Sequence, residues 1–273
     1  MKNLFISEWQ KLWRRKVTWI LFITTVLNLI YFIKFSIKNN IGIKPDSIKY
    51  ISALNFPSSL LKNQIVSIFD IMVIIFIVMA VTNEYRTGQL RMVMTRNICF
   101  DEIFKAKYLV IVSTMFLFLT VNFLLSTFLG YLALPHENVK FPYCLRTFTI
   151  SESISYNIKY YIVTCIVLAA FISVIMCISV ISKTAIEAIT LSLIFMFISV
   201  MLPELSLIFT SKGSSIYEIL NFSCLTRIQY LGIDHLLSKS QKGIGIMITS
   251  IAFHGIVFYL IGLSSFNDRD YYI

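Results

Sequence analysis

The chain has 273 residues, of which 57% are hydrophobic and 14% charged, with a net charge of +10. Soluble domains run at about 45–50% apolar and about 25% charged, so a water-soluble globule of this composition is excluded and the chain reads as an integral membrane protein. The positive charge then reflects bases flanking membrane spans and touching anionic lipid; no basic patch interleaved with stacking aromatics lies outside the spans, so nucleic acid is discounted.

Residues 1–16 contain an amphipathic stretch, KNLFISEWQKLWRRK. Leu4, Phe5, Trp9, Leu12 and Trp13 share one helical face, and the bases lie elsewhere. Tryptophans beside bases fit a helix in the membrane interface; the plainer reading is the flank of the first span. That span is taken as 17–35, an uncleaved anchor, because its apolar run is too long for a usual signal peptide and no small-x-small cleavage site follows. A lysine-containing segment with Pro45 and Pro57 as breakers leads to a second span, 64–82. Asp70 lies within it, and an acid in lipid must face protein or water. It marks a substrate path, or else it snorkels or pairs with a base such as Lys62.

Residues 83–107, NEYRTGQLRMVMTRNICFDEIFKAK, are the longest charge-dense interruption between two apolar runs. Leu90, Val93, Met94 and Ile98 recur at helical spacing, Phe100, Ile103 and Phe104 begin a second stripe, and Gly88 offers a turn. Two readings stand side by side: a cytoplasmic helix-turn-helix presenting an apolar strip to a partner, or an amphipathic loop lying on lipid headgroups.

The third span runs over 108–134 and the fourth over 159–181. In the fourth, Cys165, Ala169, Ser173 and Cys177 repeat every four residues and form a ridge of small side chains where another helix can approach closely. Packing inside the protein is the reading taken, a dimer interface the alternative. The fifth span, 185–209, carries Glu187 at one end and the pair Pro203–Glu204 near the other. The segment 210–243 mixes polar and apolar residues, as short helices dipping into the interface would. The sixth span, 244–265, holds His254, read as a hydrogen-bonded packing residue, with no His or Cys at ligand spacing. No pair of the five cysteines has metal-ligand spacing, and pairing of Cys144 with Cys224 stays open.

By density of Lys and Arg, and with six of eight arginines (Arg14, Arg15, Arg86, Arg91, Arg96, Arg269) on one side, the positive-inside rule puts both termini in the cytoplasm. The expected fold is therefore an all-α integral membrane protein. A single transmembrane domain over 1–273 has six transmembrane helices, an N-terminal interfacial helix and a cytoplasmic coupling helix between spans two and three. No P-loop, H-E-x-x-H or G-x-S-x-G motif occurs, which points to a non-catalytic membrane subuniti whose energy comes from elsewhere.

The loop between spans two and three resembles that of the permease subunits of the type-two ABC exporter family. Glu84, Tyr85, Arg86, Gly88, Leu90 and Lys107 match its E-[FY]-R-x-G-[ST]-L pattern and following lysine; Gln89 stands where Ser or Thr is usual. The opening SEWQKLWRRK is similar to the family's first helix. This resemblance implies two cytoplasmic ABC ATPase subunits that carry ATP and Mg, while this chain binds no cofactor and no metal. It implies a second permease, identical or homologous, and a place in the plasma membrane. The ATPase-coupling residues would be Glu84, Tyr85, Arg86, Gly88, Leu90, Val93, Met94 and Phe104. Asp70, Glu204 and His254 are the candidate substrate path. Efflux of antimicrobial peptides, toxins or antibiotics, or self-immunity, is the expected activity; a membrane sensor or immunity protein that binds its ligand without transport is the alternative.

Overall fold

The computed structural model describes residues 1–44, 47–86, 99–144, 147–209, 211, 214–238 and 243–268. An amphipathic helix, α1 (Lys2–Arg14), turns at Arg15 into α2 (Lys16–Asn39). The second span is a continuous apolar helix assembled from α3 (Phe56–Gln64), a π-helical turn at Ile65–Phe69, α4 (Asp70–Ala80) and the short α5 (Thr82–Arg86). Three long helices follow: α6 (Phe100–Ala133), α7 (Ile150–Ile181) and α8 (Ala185–Ser206). Then come α9 (Ser215–Ser223), α10 (Leu225–Arg227), a second π-helical turn at Ile228–Gly232, α11 (Ile233–Leu237) and the last helix, α12 (Ile244–Asn267). A two-residue antiparallel pair, β1 (Val139–Lys140) and β2 (Thr147–Phe148), with Val139 opposite Phe148, is the sheet found among the described residues.

Among the described residues six helices are long and apolar enough to cross a membrane, and the fold is all-α. Their starts differ from the hydropathy reading for local reasons. The second span begins at Phe56 rather than 64, because Pro57 occupies the first turn, where a missing N–H breaks no helical bond. The third begins at Phe100, with Asp101 and Glu102 in the first turn favourably placed on the helix dipole. The fourth begins at Ile150, where Thr149 and Glu152 form a capping box. At the start of α12, Gly243 takes a left-handed conformation, φ 76°, with the Phe222 ring packed directly against it.

The second and fourth spans form the centre: 67% of the apolar window of each is buried, against 22% for α2 and α8 and 6% for α12. The outer helices each press one face inward. On α8 the inward stripe is Ala188, Ser192, Met196, Ser199 and Pro203, mostly small residues that permit close backbone approach. α12 lies along α7. The last member of the α7 small-residue ridge, Cys177, meets Gly262, while Gly255 faces Ala170. Ser173 shares a hydrogen bond of 3.2 Å with the Tyr108 hydroxyl, which also donates to the Ala169 carbonyl. Cys165 sits instead on a shallow apolar groove with Phe116 and Phe123. No disulfide joins Cys99, Cys144, Cys165, Cys177 or Cys224.

A polar chain also fastens four spans together. Gln64 donates to Asn28 at 2.9 Å, Asn122 donates to Gln64 at 2.8 Å, and the Tyr161 hydroxyl donates to Asn122 at 2.9 Å. Each such interhelical bond is worth about 0.6–2 kcal/mol in a membrane.

The α7–α12 contact gives a direct test. A Cβ at Gly262 would stand 3.3 Å from both the Cys177 Cα and the Phe104 ring, while one at Gly255 would meet Ala170 at an ordinary 3.6 Å. Gly262→Leu is expected to lower stability by about 1–3 kcal/mol. Gly255→Ala is expected to be neutral or stabilising by up to about 1 kcal/mol. Thermal unfolding of the two variants in one detergent checks the difference.

Candidate functional site

A cluster of five charged side chains lies where α1, the end of the second span and the start of the third converge. Its position follows from the sequence of α1. Leu4, Glu8 and Leu12 follow one another at four-residue steps, so the stripe that buries Leu12 also buries Glu8. Trp13 on the same helix stacks on Phe118 of α6, ring centres 6.0 Å apart, and holds α1 against the bundle. A carboxylate in such a stripe must be paired.

The partner is Lys107, which is 1% exposed. Its ammonium donates to Glu8 Oε2 at 2.7 Å, to Glu84 Oε2 at 2.5 Å and to the Ala80 carbonyl at 2.8 Å. An ammonium has three donors, and all three are used. Arg15, at the elbow between α1 and α2, donates to Glu84 Oε1 at 3.0 Å and to the Met79 carbonyl at 2.8 Å. Lys11 closes the rim on Glu8 at 2.5 Å and lies 3.9 Å from Glu84. The two carbonyls are available because α4 ends at Ala80, and the last turn of a helix leaves its C=O groups without intrahelical partners. Two cations at that end also complement the helix dipole. Two carboxylates thus meet three cations around a residual cavity of about 10 Å³, at the lower limit for one water.

Burial by itself pushes the Glu8 carboxyl up, but the charge and hydrogen bond of Lys107, followed by those of Lys11, bring it below its ordinary 4.5. The arrangement ties α1, the Glu84 root and the Lys107 root of the loop over 83–107 into one body.

The other expected site residues divide. Gly88, Leu90, Val93 and Met94 lie outside the described residues, as do the side chains of Tyr85 and Arg86. Phe104, expected to touch a partner, is instead fully buried. It packs on Tyr259 and Phe266 of α12, ring centres 5.5 and 5.6 Å away, because α6 starts at Phe100, about two turns before the span start read at 108. It is a packing residue. Asp70, Glu204 and His254 each have a separate local partner. Asp70 accepts from Gln229 at 2.9 Å; Lys62, the base considered for it, is bound to Asp234 at 2.7 Å. Glu204 pairs with Arg227 at 2.5 Å. His254 Nδ1 lies 2.8 Å from the Ser250 carbonyl. Its ring also lines a cavity of about 630 Å³ between α8, α9 and α12, whose walls include Phe195, Leu202 and Phe253. Lys11, Arg15 and Glu8 are the members of the charge cluster that reading the sequence missed. The acid at the middle of an apolar stripe was the available signal.

A protein-family model described as ABC-2 family transporter protein matches residues 4–199, a stretch that contains all five charges of the cluster. The chain belongs to the ABC-2 transporter family. A search of curated proteins finds no match. As an ABC-2 family member, the chain is a permease subunit of an ABC transporter and a multi-pass protein of the plasma membrane. Membership implies association with an ABC ATPase and a dimeric permease.

Removing Lys107 leaves two buried carboxylates short of a cation. Lys107→Met is expected to destabilise the fold by about 3–5 kcal/mol, seen as a lower thermal midpoint of the purified chain. The depressed Glu8 carboxyl sets the sign of the acid response: its contribution is fully present above the ordinary glutamate range and is lost as pH falls through its lowered value. In a melting series taken downward from neutral pH, Glu8→Gln is expected to start lower and to lose less across that acid window than the native chain.

Proposed function

We propose that this ABC-2 permease works in an ATP-driven exporter for an amphipathic or peptide-like substrate, such as an antimicrobial peptide, toxin or antibiotic, in efflux or self-immunity. Two separate cytoplasmic ATPase subunits bind ATP and Mg. The chain itself contributes no catalysis and binds no cofactor. It pairs with a second permease, identical or homologous, and has both termini in the cytoplasm.

The observation that carries the coupling role is the buried Lys107 cluster. Leu90, Val93 and Met94, on the loop between Glu84 and Lys107, supply the apolar strip that the ATPase grips. A push on that loop acts first on its two roots. Both roots are bonded to Lys107 or to Glu84, and Glu8 and Arg15 bring α1 and the α2 elbow into the same set of contacts. Such a body transmits displacement to the first three spans without local yielding, because buried charge pairs separate only at a cost of several kcal/mol. The largely apolar cavity with His254, Ser199 and Ser250 on its wall supports a substrate with an apolar body and few polar groups.

Two variants separate gripping from transmission when the chain is expressed with the ATPase encoded beside it. Leu90→Asp combined with Val93→Asp is expected to abolish co-purification of the ATPase. Lys107→Met, assayed at a temperature where it remains folded, is expected to keep the ATPase bound while substrate-dependent ATP hydrolysis falls at least tenfold, a change of about 1.4 kcal/mol in coupling. A native chain that purifies without any ATPase and gains nothing from one would favour a sensor or immunity protein that binds without transport.

A further inference from the structure

Asp70 and Gln229 form a further buried polar contact between distant parts of the chain, and this one is incomplete. Asp70 opens α4, immediately after the π-helical turn at Ile65–Phe69, and lies about 15 Å along the helix axis from Ala80 and the charge cluster. Gln229 lies within the second π-helical turn, Ile228–Gly232. Both side chains are fully buried. Gln229 Nε2 donates to Asp70 Oδ1 at 2.9 Å. The remaining oxygen of each, Asp70 Oδ2 and Gln229 Oε1, is buried with no hydrogen-bond partner among the described residues. Two orphan acceptors at one contact are unfavourable, and an ionised carboxylate held by a single neutral donor away from water is more so. π-Helical turns concentrate at functional sites, and here one stands on each side of the pair.

We propose that Asp70 and Gln229 form a proton-binding site: Asp70 keeps its proton on Oδ2 and donates it to Gln229 Oε1, closing a two-bond acid–amide ring that latches the second span to the segment between α9 and α12. One proton satisfies both orphan oxygens. A bare metal cation fits less well, since sodium or calcium would need several more oxygen ligands and no cluster of three or more candidate metal-ligating side chains occurs among the described residues. The charged and titratable groups on the surrounding elements are engaged elsewhere or carry no charge. Lys62 and the Tyr156 hydroxyl are bound to Asp234, and Arg227 to Glu204. Lys107 belongs to the cluster at the other end of the span. Tyr160, buried with its own hydroxyl unpartnered, is neutral. His235, on α11 just after the second π-helical turn, packs on the Tyr143 ring, and burial pushes its imidazole below the ordinary histidine value. Among the described residues, then, no cation is bonded to Asp70. The latch also has a direction. Any rearrangement that admits water to the pair favours ionisation, and loss of the proton removes the donor that Gln229 Oε1 needs. Closure of this end of the bundle and proton binding are therefore linked. This goes beyond the ATPase coupling proposed above and stands without it.

The purified full-length chain in lipid nanodiscs provides the test. Asp70→Asn presents an N–H and a carbonyl where the acid presents O–H and carbonyl, so it preserves the ring without the proton. Infrared difference spectra of native chain labelled with ¹³C-aspartate against Asp70→Asn are expected to show, at neutral pH, the carbonyl stretch of a protonated acid that the variant lacks. Asp70→Asn is expected to melt within about 2 °C of the native chain, and Gln229→Leu at least about 4 °C lower. A carboxylate band at neutral pH in place of the acid band would overturn the proposal. So would stability that follows sodium or potassium concentration and disappears in Asp70→Asn.

Discussion

The end of the bundle that carries α1 depends on one ammonium group. Lys107 is held out of water by α1, α4 and α6, and it is tolerable there because every donor it carries finds an acceptor: two carboxylates from different helices and one carbonyl released by the end of α4. Remove any of the three helices and the arrangement loses its neutralising geometry. The reverse also holds. Glu8 would not be bearable in the apolar stripe of α1 without Lys107, and Glu84 is shared with Arg15, which fixes the elbow where the amphipathic helix becomes the first span. The mutual dependence of these groups explains how a helix joined to the bundle by a single turn is packed as part of it.

The two ends of the second span are fastened in different ways. Near Glu84 the contacts are ionic and join that span to α1 and α6. The apolar helix α4 runs between them and the distal end, where Asp70 at its first position meets Gln229 and, further along, Lys62 meets Asp234. The second span is also among the most buried, so it joins the loop roots to the segment between α9 and α12 through the closely packed helix α4. On the coupling proposed above, that helix would link the roots of the loop over 83–107 to the end of the bundle remote from them.

Much of this was legible from residues alone. The six spans follow from apolar runs, and the first amphipathic helix from the spacing of Leu4, Trp9 and Leu12. Helix ends were less legible, because hydropathy reports where a helix becomes apolar and not where its hydrogen bonds begin. Pro57 read as a breaker and proved to sit in a first turn; the capping pair Thr149 and Glu152 starts α7 well before its apolar run. Glu84 and Lys107 stood out through their resemblance to a family pattern, yet nothing local tells that they touch, since 22 residues separate them in sequence. For the same reason Glu8 was not singled out, and Arg15 was counted among the bases off the apolar face of the first helix. Phe104 was assigned to a partner because the loop was taken to end after it, whereas the helix beginning at Phe100 turns it toward α12. Gln229 gave no sign at all: a glutamine in a mixed segment acquires meaning when a buried acid lies opposite it.

The central claim, that α1 and the roots of the loop over 83–107 move as one body, is tested most directly by a distance. Spin labels placed at Ser7 and Lys105, in a cysteine-free background, report the separation of α1 from the start of α6 by pulsed electron resonance in the assembled transporter. With the ATPases trapped in their ATP-bound and nucleotide-free states, the account expects the same narrow distance distribution in both. A Ser7–Lys105 distance that shifts or broadens when ATP binds would mean that the Lys107 cluster yields during the cycle, and would contradict it.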